Sequence, residues 1–246
     1  MYQPAVYQPA GYQPAGNAIS KALLAPIELT IAPISFGEPS RWPIGGWQGA
    51  AKRLSDIAIA SLLLAVLAAP MLLLACLIRL ESPGPALFRQ RRVGFANVGF
   101  EMWKFRTMRH HAPEHGRLTQ TTRHDPRVTR LGALLRHFSL DELPQLLNVL
   151  RGEMSMVGPR PHAPGTCAGG KPFELVTPHY SARHRVRPGM TGLAQVRGWR
   201  GETDTEEKLL MRLAADLEFI AHWSLWLDFN ILVRTAVAIF AMRNAY

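Results

Sequence analysis

From Ile57 to Ile78 the chain reads "IAIASLLLAVLAAPMLLLACLI", with no charged residue. As a straight helix this run would be ~33 Å long, enough for a ~30 Å hydrocarbon core. Pro70 stands inside it, removes a backbone donor and strands the carbonyl of Val66. Lys52 and Arg53 precede the run; Arg79, Arg89, Arg91 and Arg92 follow it. Basic flanks stay on the cytoplasmic side, so both ends favour the same side. A helix broken at Pro70 satisfies this by turning back, each half ~20 Å or less and too short to cross. The competing readings are a single span with the amino-terminal tail outside and, more remotely, a buried core helix. The run by itself favours the span, and only its flanks dissent.

Beyond Ser82 the pattern becomes that of a soluble domain. "PALFRQRRVGFANVGFEMWKFRTM" predicts a hairpin, two strand-like runs about a Gly/Asn turn. "SLDELPQLLNVLRG" predicts a short amphipathic helix, with Leu143, Leu146, Leu147 and Leu150 at helical spacing and Gly152 as its stop. "TDTEEKLLMRLAADLEFIAHW" predicts a longer helix opened by a Thr203–Glu206 capping box. "SLWLDFNILVRTAVAIFAM" is apolar but interrupted by Asp228, Asn230 and Arg234. That makes it a surface-lying or core-packed helix rather than a second span. The start of the chain differs again: "MYQPAVYQPAGYQPAG" repeats Tyr-Gln-Pro-Ala, with proline in every repeat. It predicts a disordered, PPII-like tail. Trp42 and Trp47, around Gly45-Gly46, suit a membrane interface or a plain loop. Three regions follow: a tail over 1–46, a membrane-embedded helix over 47–81 and a catalytic-type domain over 82–246.

Charge narrows the partners. The 246 residues carry a formal charge of +10. Such an excess suits nucleic acid, an anionic membrane surface or phosphorylated substrates. No signal-peptide pattern opens the sequence. Cys76 in the apolar run reads as a buried thiol and Cys167 as a loop thiol. Two such cysteines make no disulfide framework and do not point to an oxidising compartment.

Four motifs carry candidate chemistry. Asp141 and Glu142 fit two roles. Ser139 with Glu142 matches a capping box, although Pro144 fits better with Asp141 as the cap. Alternatively, one carboxylate attacks phosphorus and its neighbour holds a cation. In "MVGPRPH", Pro159 and Pro161 fix the backbone around Arg160. That suits bidentate phosphate recognition, or a rigid turn with a solvated arginine. "RHRVRPGMTGLAQVRGWRGE" interleaves Arg183, Arg185, Arg187, Arg197 and Arg200 with Gly189, Gly192, Gly198 and Gly201. Glycines let backbone amides approach a ligand while arginines supply charge, as a nucleic-acid surface also would. "RHHAPEH" offers His110, His111, Glu114 and His115 but reads as a loop, a poor scaffold for a metal. The "DPRVTRLGALLRHFSLDELPQLL" stretch has helix-turn-helix spacing but no base-reading recognition helix.

Taken together, "KRLSD", the proline-interrupted run, "SPGPALFRQRRVG", "WKFRTM", "DPRVTRLGALLR", "SLDELPQLLNVLRGEMSMVGPRP" and "RPGMTGLAQVRGWRGET" resemble the bacterial sugar transferases. These are monotopic polyprenyl-phosphate phosphoglycosyl transferases. The resemblance runs from Lys52 to about Phe240. It implies a mixed, helix-rich α/β fold with a re-entrant helix broken at Pro70, a small β-hairpin and interfacial helices. It places the enzyme on the cytoplasmic face of the bacterial inner membrane. It implies Asp141 as nucleophile and Glu142 as ligand of a Mg²⁺ cofactor. Arg160 with Pro159 and Pro161 would bind the nucleotide, and Lys104, Arg136 and Arg200 the phosphates. Lys52, Arg53 and Asp56 would hold the base of the helix. The implied reaction passes a hexose 1-phosphate from a UDP-sugar to undecaprenyl phosphate and releases UMP. The carboxyl-terminal part is similar to members that transfer glucose 1-phosphate, with UDP-galactose or an N-acetylhexosamine donor as alternatives. The expected partners are these substrates, anionic inner-membrane lipids, other polysaccharide-assembly enzymes and a second copy of the chain, with no nucleic acid. Two departures stand out. Long members carry several membrane helices and a nucleotide-fold domain before this core, so the chain reads as a short form. Ala69 stands where many members have a serine that could satisfy a freed carbonyl.

Overall fold

The computed structural model describes residues 44–109, 125–199 and 201–240. Most of the Tyr-Gln-Pro-Ala tail, Trp42, His110, His111, Glu114, His115 and Arg200 lie outside them. Helix α1 (Gly46–Glu81) is 36 residues long and runs through Pro70 without interruption. The break expected there is not an end of the helix. Proline removes one donor and disturbs the turn before it, but the flanking hydrogen bonds survive, so a helix can bend at proline without stopping. Leu62, Val66, Leu72 and Leu73 are each more than 60% exposed, which excludes a buried core helix. Cys76 is exposed as well, not buried as expected, because it lies on this bare apolar stretch.

Both ends of α1 dock on the same body. Near the start, Lys52 pairs with Asp228 at 2.7 Å. Asp56 accepts from the Ser155 hydroxyl and the Met156 amide. Near the end, Ile78 packs with Phe105 and Leu135, flanked by Met71, Leu74, Ala75 and Leu143. The Arg106 guanidinium donates to the carbonyls of Ile78, Ser82 and Pro83.

The predicted hairpin is present. Strands β1 (Leu87–Val93) and β2 (Gly99–Phe105) pair antiparallel around Ala96 and Asn97, both at positive φ. Helix α2 (Arg130–His137) is capped by Thr129, whose side chain accepts from the Gly132 amide. Gly132 lies so close to β2's continuation that a Cβ would sit 2.1 Å from the Thr107 carbonyl oxygen.

The "SLDELPQLLNVLRG" stretch is two elements, not one helix. A 3₁₀ turn over Leu140–Glu142 precedes helix α3 (Gln145–Arg151). Ser139 is left-handed at φ 57° and makes no side-chain cap, so the capping-box reading fails. Pro144 cannot supply the amide that one continuous helix would need. Gly152, at φ 83°, does end α3.

Strand β3 (Ser155–Val157) pairs in parallel with a strand over Gly189–Thr191. Between them lie the two-residue strands β4 (Cys167–Ala168) and β5 (Lys171–Pro172), the short helix α4 (Phe173–Val176) and a 3₁₀ turn over Tyr180–Arg185. The Gly189–Thr191 strand is β6, followed by α5 (Leu193–Val196), α6 (Glu206–Ala221) and α7 (Leu225–Phe240). Gly189 and Gly192 approach the backbone of Gly158, where a Cβ on Gly189 would come within 2.1 Å of an amide nitrogen. Their close approach is to the chain itself, not to a ligand. Thr205 caps α6, not Thr203. The helix begins at Glu206, which is too early in it to close a capping box.

Beneath these elements runs a buried polar chain. Arg183 pairs with Asp216 at 2.7 Å and donates to the Tyr180 hydroxyl. That hydroxyl meets His162 Nδ1 at 2.9 Å, and His162 Nε2 meets Glu174 at 3.2 Å. His184 stacks on His162 and hydrogen-bonds Asn97. Burial, then the Arg183 charge, pushes both imidazoles down to about 3, so both are neutral.

Two outcomes follow. Gly132→Ala forces backbone apart and should cost about 1–3 kcal/mol, lowering the thermal midpoint by several degrees. The neutral histidines stabilise fully above their unfolded value of about 6.5, and that contribution drains as pH falls toward 3. Each should therefore cost about 2 kcal/mol between pH 7 and pH 5. Melting across that range should fall less steeply for His184→Asn than for the parent; an unchanged slope would contradict the burial of a neutral ring.

Candidate active site

Asp141 sits in the turn between left-handed Ser139 and α3, only 6% exposed. Its carboxylate accepts no hydrogen bond from any described residue. Burial pushes it up to about 6, against the pull of Lys104; Glu142 adds to the rise, while Arg160 and Arg136 oppose it. Glu142 is the opposite case. Lys104 Nζ donates to Oε1 at 3.0 Å. Arg160 grips both oxygens, Nη1 on Oε2 at 3.0 Å and Nη2 on Oε1. Burial works against its charge, but Arg160 and then Lys104 outweigh burial and hold it well below the usual carboxylate range. Neighbouring carboxyls pushed in opposite directions take different roles. Asp141 is the under-solvated carboxyl of the pair, and Glu142 the ion-paired one.

Each cation arrives on its own element. Lys104 comes from β2, and Asn148 of α3 fixes that strand by accepting from the Trp103 amide and donating to the Glu101 carbonyl. Arg136 comes from the last turn of α2, its Nε held by Thr107 Oγ1 at 2.8 Å. Arg160 comes from a loop whose successive carbonyls are all tied. Pro159 accepts from the Gly189 amide, Arg160 from Arg183, Pro161 from Arg92 and His162 from the Val93 amide. The loop is therefore rigid before any ligand arrives.

Asp141, Glu142, Lys104, Arg136 and Arg160 with its flanking prolines thus meet at one site. Lys52, Arg53 and Asp56 do not join it; they anchor α1. Arg53 donates to the Val149 and Leu150 carbonyls at the end of α3. Pro70 lies far along the bare helix. The arginine-glycine run serves structure more than phosphate. Arg183 is buried, Arg197 pairs with Glu218, and Arg187 donates to the Gly152 carbonyl. The sequence reading missed Arg92, Asn148 and the supporting role of Arg183. Asn148 had a visible signal, an amide among the apolar positions of a helix.

Among the described residues no three His, Cys, Asp or Glu side chains converge on a metal position. The Asp141–Glu142 pair still fits Mg²⁺, which takes one or two carboxylates and completes its shell with water and phosphate oxygens. Among the described residues nothing hydrogen-bonds the Asp141 oxygens, while Glu142 would first have to be released by Arg160.

Known proteins resemble this chain over the same elements. It is 48% identical to an undecaprenyl-phosphate glucose phosphotransferase of Komagataeibacter xylinus, over 90% of this chain and 41% of that protein. It is 53% identical to a UDP-glucose:undecaprenyl-phosphate glucose-1-phosphate transferase of Caulobacter vibrioides, over 79% of this chain and 72% of that protein. It is 41% identical to a UDP-N-acetylgalactosamine-undecaprenyl-phosphate N-acetylgalactosaminephosphotransferase of Aeromonas hydrophila, over 75% of this chain and 42% of that protein. The chain thus spans less than half of two of these relatives and most of the third. Residues 47–242, which hold the whole site, match the model of the bacterial sugar transferases, and the chain belongs to that family.

Proposed function

We propose that the chain transfers glucose 1-phosphate from UDP-glucose to undecaprenyl phosphate through a covalent intermediate on Asp141. The reading rests on one observation: a buried carboxylate without a hydrogen-bond partner among the described residues, beside an ion-paired Glu142 and facing Lys104, Arg136 and Arg160. An Asp141 oxygen attacks the phosphorus that carries the sugar. The bond from that phosphorus to the bridging oxygen breaks, and UMP leaves with the electron pair. A phosphate oxygen of undecaprenyl phosphate then attacks the same phosphorus and frees Asp141. Arg160, preset by its tied loop, binds the donor phosphates bidentately, and Lys104 and Arg136 bind their remaining oxygens. Mg²⁺, held by Glu142, would neutralise charge on the diphosphate. UDP-glucose is favoured because relatives named for it share more identity than the one named for UDP-N-acetylgalactosamine. The product would begin an exopolysaccharide repeat unit.

The same reading makes α1 re-entrant at the cytoplasmic face of the inner membrane. A straight helix would hold Arg53 and Ile78 ~38 Å apart. Both instead meet one body, around α2 and α3. A bend at Pro70 reconciles this with the bare apolar surface between them. Helix α7 supports an interfacial seat, with Trp226 69% and Phe229 55% exposed and their rings stacked.

With UDP-glucose, undecaprenyl phosphate and Mg²⁺, the protein should release UMP. Asp141→Asn should lower turnover by about 10³-fold or more. Without acceptor, labelled donor should mark the parent but not the variant; undiminished turnover in Asp141→Asn would end the nucleophile role. Arg160→Ala should raise the donor KM by about 10- to 100-fold, the worth of a charge-assisted bidentate contact. For topology, Ala5→Cys and Glu207→Cys in a cysteine-free background should both resist an impermeant reagent in intact cells. Labelling of the first alone would establish a span.

A further inference from the structure

The hairpin has a second charged face. Successive strand residues point to opposite sides, so Lys104 reaches Glu142 while Trp103 points away from it. Trp103 lies across from Arg89, and Glu101 from Arg91. The Arg89 guanidinium stands 4.6 Å from the Trp103 ring centre and the Arg151 guanidinium 4.5 Å. These residues, with Phe100 and Glu153, line an open surface cavity of about 560 Å³, with Arg89 and Glu101 more than half exposed at its rim.

The arginines there are short of partners. Stacking holds a guanidinium by its face and leaves its N–H edges to bind. Among the described residues, no side chain or carbonyl hydrogen-bonds or ion-pairs the guanidiniums of Arg91 and Arg151. Arg89 has only a 3.6 Å contact with Glu101. Glu153 is partly engaged by Asn148. Three guanidiniums against two carboxylates leave one excess positive charge, matching the single negative charge of a phosphodiester. None of the lining residues belongs to the Asp141 site.

The cavity also stands at a telling level. Arg151 ends α3, and the two carbonyls before it are capped by Arg53 of α1. The uncharged run begins at Ile57, about 6 Å further along that helix. The cavity therefore lies beside the base of α1, where a lipid phosphate would be found.

We infer that this cavity binds the phosphodiester headgroup of an anionic glycerophospholipid, through Arg89, Arg91 and Arg151 around Trp103. Glu101 and Glu153 at its edge would accept from headgroup hydroxyls. The assignment rests on the membrane reading above, but its test depends on neither topology nor turnover. Full-length protein in uncharged detergent would be titrated with dioctanoyl phosphatidylglycerol, dioctanoyl phosphatidylcholine or inorganic phosphate while its thermal midpoint is followed. The glycerol lipid should raise the midpoint, and phosphatidylcholine and free phosphate should not. Arg89→Gln/Arg151→Gln should weaken the response about thirtyfold, near the worth of two cations at an anionic surface. Lys171→Gln/Lys208→Gln, which removes equal charge elsewhere, should leave it intact. Arg91→Gln, which removes no stacking on Trp103, gives an independent arm should the double variant fold poorly; it too should weaken the response. An equal response in the site variants, equal loss in the control, or reproduction of the shift by inorganic phosphate would each overturn the lipid site.

Discussion

Glu142 is gripped by Arg160 from one side and Lys104 from the other, and this three-way pairing joins the parts of the domain. Lys104 is on the hairpin, Glu142 in the 3₁₀ turn before α3 and Arg160 on the loop after β3. Burying a carboxylate is tolerable only with such compensation. The compensation is itself supported from behind. Asn148 locks β2 to α3, and Arg183, paired with Asp216 of α6, holds the Arg160 carbonyl. Asp141 differs from Glu142 in this respect. Its neighbour's partners are committed, and it has none of its own among the described residues.

The same helix α3 also holds the apolar helix α1. Its leading end lies beside the Ile78 cluster through Leu143, and its trailing carbonyls are capped by Arg53. The two anchored ends of α1 thus bracket the element that carries the site. The Lys52–Asp228 pair adds a tie from α7. Burial raises the Asp228 carboxyl while Lys52 opposes the rise, so the pair gains little net energy. Its value is registry: a lone buried charge at either position would be strongly unfavourable, so α1 and α7 dock one way.

Periodicity and motif order made much of this legible. The hairpin, the stop at Gly152, the interrupted apolar helix over Leu225–Phe240 and the cluster of Asp141, Glu142, Lys104, Arg136 and Arg160 follow from local pattern or family resemblance. The misreadings are instructive. The capping boxes at Ser139 and Thr203 both fail: Pro144 delays α3 to Gln145, and Thr205 rather than Thr203 caps α6. The glycines near Arg187 were assigned to a ligand, whereas they relieve a backbone-to-backbone approach to Gly158. Arg183 looked like surface charge because its partner, Asp216, lies on another element. Cys76 looked buried because a sequence does not distinguish an apolar position facing protein from one facing outward.

In the proposed reaction, charge balance at the site argues for Asp141 over Glu142 as the reacting group. Arg92, Lys104, Arg136 and Arg160 bring four positive charges against the two of Asp141 and Glu142. That excess of positive charge suits an anionic donor, such as the diphosphate of the proposed nucleotide sugar. Before the donor arrives, Arg160 is spent on Glu142, and this holds the loop arginine in place without leaving a cation bare. On the proposed function, donor phosphates would give Arg160 a second anion to share and would leave Glu142 to a divalent ion. Asp141 needs no such exchange. Its carboxylate is already free of hydrogen bonds from the described residues, so the proposed attack on phosphorus would not first require it to give up a partner.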